Sequence, residues 1–266
     1  FLYVGGFANP GPSMFKIAPQ DMKLVATWRQ QAIRFQSFVF DDSGFMYTGQ
    51  IGVGSSRLRK LNMDTLDLIW TVQPDDGLNF DGTGDGVSAG TEFLAFNPND
   101  GLIYGAGLGD VIWKMDQNGN TLLSIDHPAA STITSVNINP IANHLHFSNL
   151  NSGGTNVSVN RINPSSFGVV AQRIVPDFPG GVNTLATNPF DPQTDGDKKL
   201  YIGKNTPVVE IAQSGNLIDA GHVIIDQDGT RPVSGMEFLP DGRFFISLVE
   251  DSLVYEANWE TKTLTG

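Results

Sequence analysis

The sequence predicts an all-β fold made of one short sheet repeated six times, and three observations carry this. A strand centred on an aromatic residue returns along the chain with a base period of about 44 residues. Glycine and proline, 30 and 15 of the 266 residues, are frequent enough to separate short strands throughout. No segment carries an apolar stripe of helical period over three turns, so almost no helix is expected.

The aromatic strand is read in Leu2-Tyr3-Val4-Gly5, Met46-Tyr47-Thr48-Gly49, Ile103-Tyr104-Gly105, His146-Phe147-Ser148, Leu200-Tyr201-Ile202-Gly203 and Phe244-Phe245-Ile246-Ser247. Spacings of 44, 57, 43, 54 and 44 between the rings point to two insertions, at 75–90 and 190–198. Before five of these strands lies another that ends in a turn: Phe38-Val39-Phe40, Leu94-Ala95-Phe96, Val136-Asn137-Ile138, Leu185-Ala186-Thr187 and Glu237-Phe238-Leu239. The Asn-Pro and Asp-Gly pairs that follow supply the backbone angles of tight hairpins. A third strand of alternating polarity comes next, as in Leu58-Arg59-Lys60-Leu61 and Val159-Asn160-Arg161-Ile162. The fourth is seen in Leu24-Val25-Ala26-Thr27-Trp28 and Leu68-Ile69-Trp70.

Four strands per unit, six times over, predict a six-bladed β-propeller of four-stranded antiparallel blades, because radial repetition leaves only short, protected edges. A β-sandwich has no reason to repeat an aromatic column. The blades are expected at about 1–31, 32–74, 90–128, 131–176, 181–226 and 231–266 of a single domain, the first lacking its innermost strand. Since Phe1 to Val4 reads as mid-strand with no initiating Met, a processed or trimmed chain is expected. The phrase Arg59-Lys60-Leu61-Asn62-Met63-Asp64-Thr65 followed by Leu68-Ile69-Trp70 resembles the quinoprotein-like and WD-like repeat propellers of bacterial surface proteins and tailed-phage virion proteins. Asn188-Pro189, Asp195-Gly196-Asp197 and Leu200-Tyr201-Ile202-Gly203 are similar to one blade of soluble sugar-dehydrogenase propellers. These resemblances imply a fold and leave function to the site.

Sixteen basic against 28 acidic residues give a net charge of −12, which repels nucleic acid and anionic lipid over most of the surface. The absence of cysteine removes disulfides, a thiolate nucleophile and sulfur-ligated zinc. No apolar run approaches the roughly 20 residues that span a bilayer, so no membrane insertion is expected.

The first insertion carries the most distinctive spacing. Counted from Asp81, oxygen-bearing side chains fall at Asp81, Thr83 and Asp85, glycine at Gly86 and a carboxylate at Glu92, the pattern by which a loop wraps calcium. A solvated Gly-Asp loop accounts for the same residues, and Thr83 is a poorer ligand than aspartate. Asp191, Asp195 and Asp197 in the second insertion form a weaker metal candidate. Four residues before Phe40, Phe96, Ile138, Thr187 and Phe238 stand Gln36, Glu92, Thr134, Asn183 and Ser234, all polar. They are expected at the channel mouth, where they either hold a small polar ligand or cation or simply hydrate the wall.

Nucleophilic catalysis finds little support. His144 and His146 stand on alternate positions of one strand and could share a face, but no serine or carboxylate neighbour completes a triad from sequence, and Glu237 and Glu250 are the remaining acid candidates. Asn156-Val157-Ser158 is a glycosylation triplet of the kind expected by chance. The reading that follows is a non-enzymatic binding or structural module on a cell exterior or virion surface. Its partners would be proteins, glycans or other virion subunits, with calcium as the one candidate cofactor. The alternative is a lactonase-like metal-dependent hydrolase or a quinoprotein-type sugar dehydrogenase working in the channel.

Overall fold

A computed structural model describes residues 2–6, 13–18, 20–21, 23–29, 34–51, 57–72, 93–107, 111–126, 132–150, 157–175, 182–189, 199–204, 208–224, 231–239, 241–248, 254–258 and 263–264. All regular structure among them is β-strand. The chain divides into two compact units, residues 1–127 and 128–266.

The first unit holds three antiparallel sheets in which consecutive strands pair. The first sheet is β1 (Leu2–Gly6), β2 (Ser13–Ala18) and β3 (Lys23–Arg29). The second is β4 (Arg34–Phe40), β5 (Phe45–Ile51), β6 (Arg57–Asn62) and β7 (Leu68–Val72). The third is β8 (Phe93–Asn97), β9 (Leu102–Ala106), β10 (Val111–Met115) and β11 (Thr121–Asp126).

The second unit repeats the plan. Its fourth sheet is β12 (Thr132–Asn139), β13 (His144–Leu150), β14 (Val157–Ile162) and β15 (Val169–Val175). The fifth is β16 (Val182–Thr187), β17 (Lys199–Lys204), β18 (Val208–Gln213) and β19 (Asp219–Ile224). The sixth is β20 (Val233–Phe238), β21 (Phe244–Leu248), β22 (Val254–Asn258) and the short β23 (Thr263–Leu264). Within each unit successive sheets meet through their inner strands, β4 beside β8, and β12 beside β16 beside β20, which is a β-propeller arrangement of small sheets.

Pairing shows what the repeat is for. Directly opposite one another stand Tyr3 and Lys16, Tyr47 and Lys60, Tyr104 and Lys114, Tyr201 and Ile211, and Phe245 and Glu256. In the fourth sheet this position belongs to His146, paired with Arg161, and not to Phe147, which the sequence spacing places in the aromatic column. The inner strands settle the register: Phe40, Phe96, Ile138, Thr187 and Phe238 face Met46, Ile103, Leu145, Leu200 and Phe244, so the next residue along is Tyr47, Tyr104, His146, Tyr201 or Phe245. A slip of one residue turns a side chain to the opposite face of a strand, so the correction changes which ring faces the neighbouring sheet.

The cores lie where sheets face each other. Tyr47, Leu58, Leu94, Ile103, Trp113 and Met115 fill one cluster of the first unit. Ala186, Tyr201, Met236, Phe238, Phe244 and Ile246 fill one of the second, with Phe238 and Phe244 stacked at a centroid distance of 4.1 Å. Trp113 lies flat across Gly105, its direct partner on β9; a Cβ there would come within 2.0 Å of the indole.

The outer strands share a second regularity. Each of β3, β7, β11, β15 and β19 carries one extra residue near its start, Val25, Ile69, Leu122, Val170 and Ala220. All five are exposed. A bulge adds local twist and interrupts the row of free backbone groups, which is how an edge strand avoids recruiting another strand.

Candidate functional site

The inner strands bulge too, at one shared register. Phe35 pairs Gln50 and Ser37 pairs Gly49, leaving Gln36 as the extra residue of β4. The same break leaves Thr134 in β12, Asn183 in β16 and Ser234 in β20 without a ladder partner. Four of the five polar residues read from the sequence as the channel mouth are therefore the bulge residues of their strands. The fifth, Glu92, lies outside the described residues one position before β8, as do Asp81, Thr83 and Asp85 of the calcium-type loop.

The hydroxyls at these bulges bond within their own sheets. Thr134 Oγ1 is 2.9 Å from Ser148 Oγ, and Ser234 Oγ is 2.9 Å from Ser247 Oγ. Thr134 is half-buried and Ser234 exposed, so the second pair is the more open to a ligand.

The residue after the bulge links neighbouring sheets. Ser37 Oγ accepts the Leu94 backbone N–H at 3.0 Å, and Ser135 Oγ accepts that of Leu185 at 3.1 Å. Two residues further, Thr187 Oγ1 donates to Asn137 Oδ1 at 2.6 Å. An inner strand pairs on one side only; the two serines satisfy backbone N–H groups of the next inner strand, and the Thr187–Asn137 bond joins side chains of the two strands.

A second polar network sits toward the outer half of the sheets. Met63 O receives the Tyr3 hydroxyl at 3.1 Å and Lys16 Nζ at 3.4 Å from the preceding sheet. Gln117 O receives Lys60 Nζ at 3.2 Å and Trp70 Nε1 at 3.3 Å. Ser214 O receives His146 Nε2 at 2.7 Å. Each acceptor immediately follows the residue that opens the hairpin turn, Asn62, Asp116 or Gln213, so one device recurs in both units. Lys60 also lies over the Phe45 and Tyr47 rings, 4.1 and 5.2 Å from their centroids, so its charge is stabilised in a buried setting. Burial pushes the Tyr3 phenol up to about 12, with Asp64 adding to it. Burial first, and the hydrogen bonds from Tyr47 to Asp41 and from Tyr104 to Asp100 second, raise those two phenols further. All three stay protonated donors.

Around Ser214 the network contains what sequence reasoning missed, a serine in contact with histidine. His144 Nδ1 is 3.0 Å from Ser214 Oγ, and Asn139 Nδ2 donates to the same oxygen at 2.8 Å. Arg161 Nη1 lies 2.9 Å from His144 Nε2. A guanidinium only donates, so Nε2 accepts and the proton of the neutral ring rests on Nδ1, which donates to Ser214. Ser214 Oγ thus accepts twice. A general base needs the reverse, a histidine nitrogen taking the hydroxyl proton, and Ser214 is fully buried besides. His146 is neutral for another reason: burial drives its pKa down to about 3, with the Ser214 carbonyl opposing and His144 and Arg161 assisting.

Two other candidates are placed by the structure. Ser158 is fully buried and its hydroxyl donates to Asn149 Oδ1 at 2.6 Å, so the glycosylation triplet has its hydroxyl already engaged. Glu237 stands on β20 between Met236 and Phe238. Water reaches it, yet the protein crowded around the carboxyl pushes it up to about 7 through desolvation. Among the described residues no group of three or more His, Cys, Asp and Glu is placed to hold a metal ion. No protein-family model matches the chain, and no curated protein matches it.

Proposed function

We propose that the chain is a binding or structural propeller module, displayed outside a cell or on a virion, that meets a protein or glycan surface through the bulged ends of its inner strands. The observation that supports this reading is the common register of the bulges at Gln36, Thr134, Asn183 and Ser234: bulges recur at functional edges, and here the same break in the ladder falls on a polar residue four times. The residues with reactive chemistry, His144, His146, Ser214 and Lys60, are meanwhile engaged in holding sheets together. The sixfold repeat in sequence supports one ring of six blades. A calcium ion held by Asp81, Thr83, Asp85 and Glu92 belongs to the same proposal; calcium then raises the melting temperature and a chelator reverses it, whereas an unchanged transition removes the ion.

The test is a glycan array and a whole-virion or cell-surface binding assay with the parent chain and with a variant carrying Gln36→Ala, Thr134→Val, Asn183→Ala and Ser234→Ala. At least a tenfold weaker signal, about 1.4 kcal/mol, with an unchanged circular dichroism spectrum is expected. Undiminished binding by the variant sinks the assignment of the bulges.

The position of Glu237 on the inner strand β20, where water reaches it, leaves it as the proton-transfer candidate for a second reading, a lactonase-like metal-dependent hydrolase or a quinoprotein-type sugar dehydrogenase. Turnover by the parent chain that disappears in Glu237→Gln selects it over the first.

A further inference from the structure

His146 on β13 and Arg161 on β14 stand directly opposite each other. His146 is fully enclosed, and its Nε2 bonds the Ser214 carbonyl, which can only accept. The neutral ring therefore carries its proton on Nε2, and Nδ1 is left as an acceptor. Arg161 is half-buried, with Nη1 on His144 Nε2 at 2.9 Å, and its Nε–H is a further donor. His146 Nδ1 and Arg161 Nε are both buried, and among the described residues neither has a hydrogen-bond partner. Buried polar atoms are almost always satisfied, by the protein or by ordered water. An unmet acceptor and an unmet donor on paired residues are complementary halves of one site. In the second, third and fifth sheets the same two positions hold Tyr47 and Lys60, Tyr104 and Lys114, and Tyr201 and Ile211. A phenol ring has no second polar atom, so none of those rows repeats the arrangement.

The two nitrogens select what can lie between them. A metal cation would suit the Nδ1 lone pair and is repelled by the guanidinium directly opposite. An anion would accept from Arg161 and has nothing to donate to Nδ1. The occupant must accept from one nitrogen and donate to the other, and beside a ring shut off from solvent the smallest molecule that does both is water. Asn137, opposite His146 on β12, adds an amide to the same row. We propose that His146 Nδ1 and Arg161 Nε bind one internal water molecule, which accepts from the guanidinium and donates to the imidazole. The water joins β13 to β14 through their side chains. It also holds the ring in the tautomer whose Nε2–H reaches Ser214 of the following sheet, so it acts on the contact between sheets.

The experiment is a high-resolution crystal structure of the 266-residue chain, with NMR of the same chain carrying isotopically labelled histidine. Density for one water within hydrogen-bond distance of both nitrogens is expected. The His146 Nδ1 resonance is expected upfield of a free imine-type nitrogen, with cross-peaks from the carbon-bound ring protons to a long-lived water. Arg161→Lys keeps a positive charge and a donor for His144 and removes the Nε–H. In this variant the water cross-peaks are expected to vanish and the Nδ1 resonance to move downfield; if the variant does not fold, the density and the parent spectrum decide. A direct bond between Arg161 Nε and His146 Nδ1, a free Nδ1 resonance in the parent chain, or a metal ion at the position overturns the proposal. So do water cross-peaks that persist unchanged in Arg161→Lys, because Arg161 is then not a partner of the water.

Discussion

His146 donates its Nε2 proton to the Ser214 carbonyl at 2.7 Å, which places an imidazole in the slot that a tyrosine fills in four of the other sheets. The imidazole makes with a shorter side chain the contact that Tyr3 makes to Met63 O, a donor reaching the turn of the following sheet, whereas Tyr47 and Tyr104 donate to Asp41 and Asp100 of their own sheets. Replacing the ring by phenylalanine keeps the volume and removes the donor. The Ser214 carbonyl is then left unsatisfied in a buried setting, so His146→Phe is expected to cost about 1–3 kcal/mol in urea unfolding at neutral pH. His146→Gln, which retains an N–H donor, is expected to lose less; equal losses would assign the effect to packing.

Gly105 and Trp113 make the sharpest packing requirement. A Cβ at position 105 would meet the indole at 2.0 Å with no soft neighbour to give way, because the tryptophan is itself almost wholly buried. Gly105→Ala is expected to destabilise by about 3 kcal/mol and to shift the tryptophan emission to the red. Combining it with Trp113→Leu recovers part of the loss, as contacting residues couple. Additive losses would show that the indole is not the obstacle.

Three turns contain an apolar residue in the left-handed backbone region, Leu66, Phe167 and Leu217, with φ of 61°, 58° and 59°. That conformation costs a residue with a Cβ about 1–2 kcal/mol, which glycine would save. Against this stands the burial of the side chain, worth about 3–5 kcal/mol for a phenylalanine in a core. Phe167 and Leu217 are buried and Leu66 is half-buried. The two effects therefore separate by site: Phe167→Gly is expected to lose about 2–4 kcal/mol and Leu66→Gly to lie within about 1 kcal/mol of the parent. Chemical denaturation measures both, and a stabilised Phe167→Gly would mean that strain outweighs packing.

The repeat was legible because each sheet reuses one strand plan, and the aromatic column was right at Tyr3, Tyr47, Tyr104, Tyr201 and Phe245. It slipped at His146-Phe147, where two adjacent rings compete and a spacing of 43 in place of 42 looks equally regular; only the ladder decides which side faces the next sheet. Counting back four residues from the inner-strand anchors found four bulges because the distance from bulge to anchor is constant, although no composition marks a bulge. Ser214 was hidden for a different reason. Ser214-Gly215 reads as a turn, and its contact with His144 spans 70 residues and two sheets.

His146 and Glu237, both in the second unit, give opposite pH dependences. His146 has a folded pKa near 3, below the ordinary value of 6.5, so the unfolded chain binds the extra proton between these limits. Its contribution to stability is complete above about pH 6.5 and declines on acidification, by up to about 1.4 kcal/mol per pH unit, until the folded pKa is reached. Glu237 has a folded value near 7, above the ordinary 4.5, so its contribution is complete below about pH 4.5 and is lost as pH rises through 7. Water reaches Glu237, which weakens its share. Between about pH 4.5 and 6.5 the slopes oppose, and the parent chain is expected to show a shallow stability profile. Glu237→Gln steepens the rise with pH in that window, and His146→Phe replaces the rise with a fall. Thermal unfolding at half-unit steps from pH 4 to 8 distinguishes the three profiles, and parallel curves would remove both residues as the source of the pH dependence.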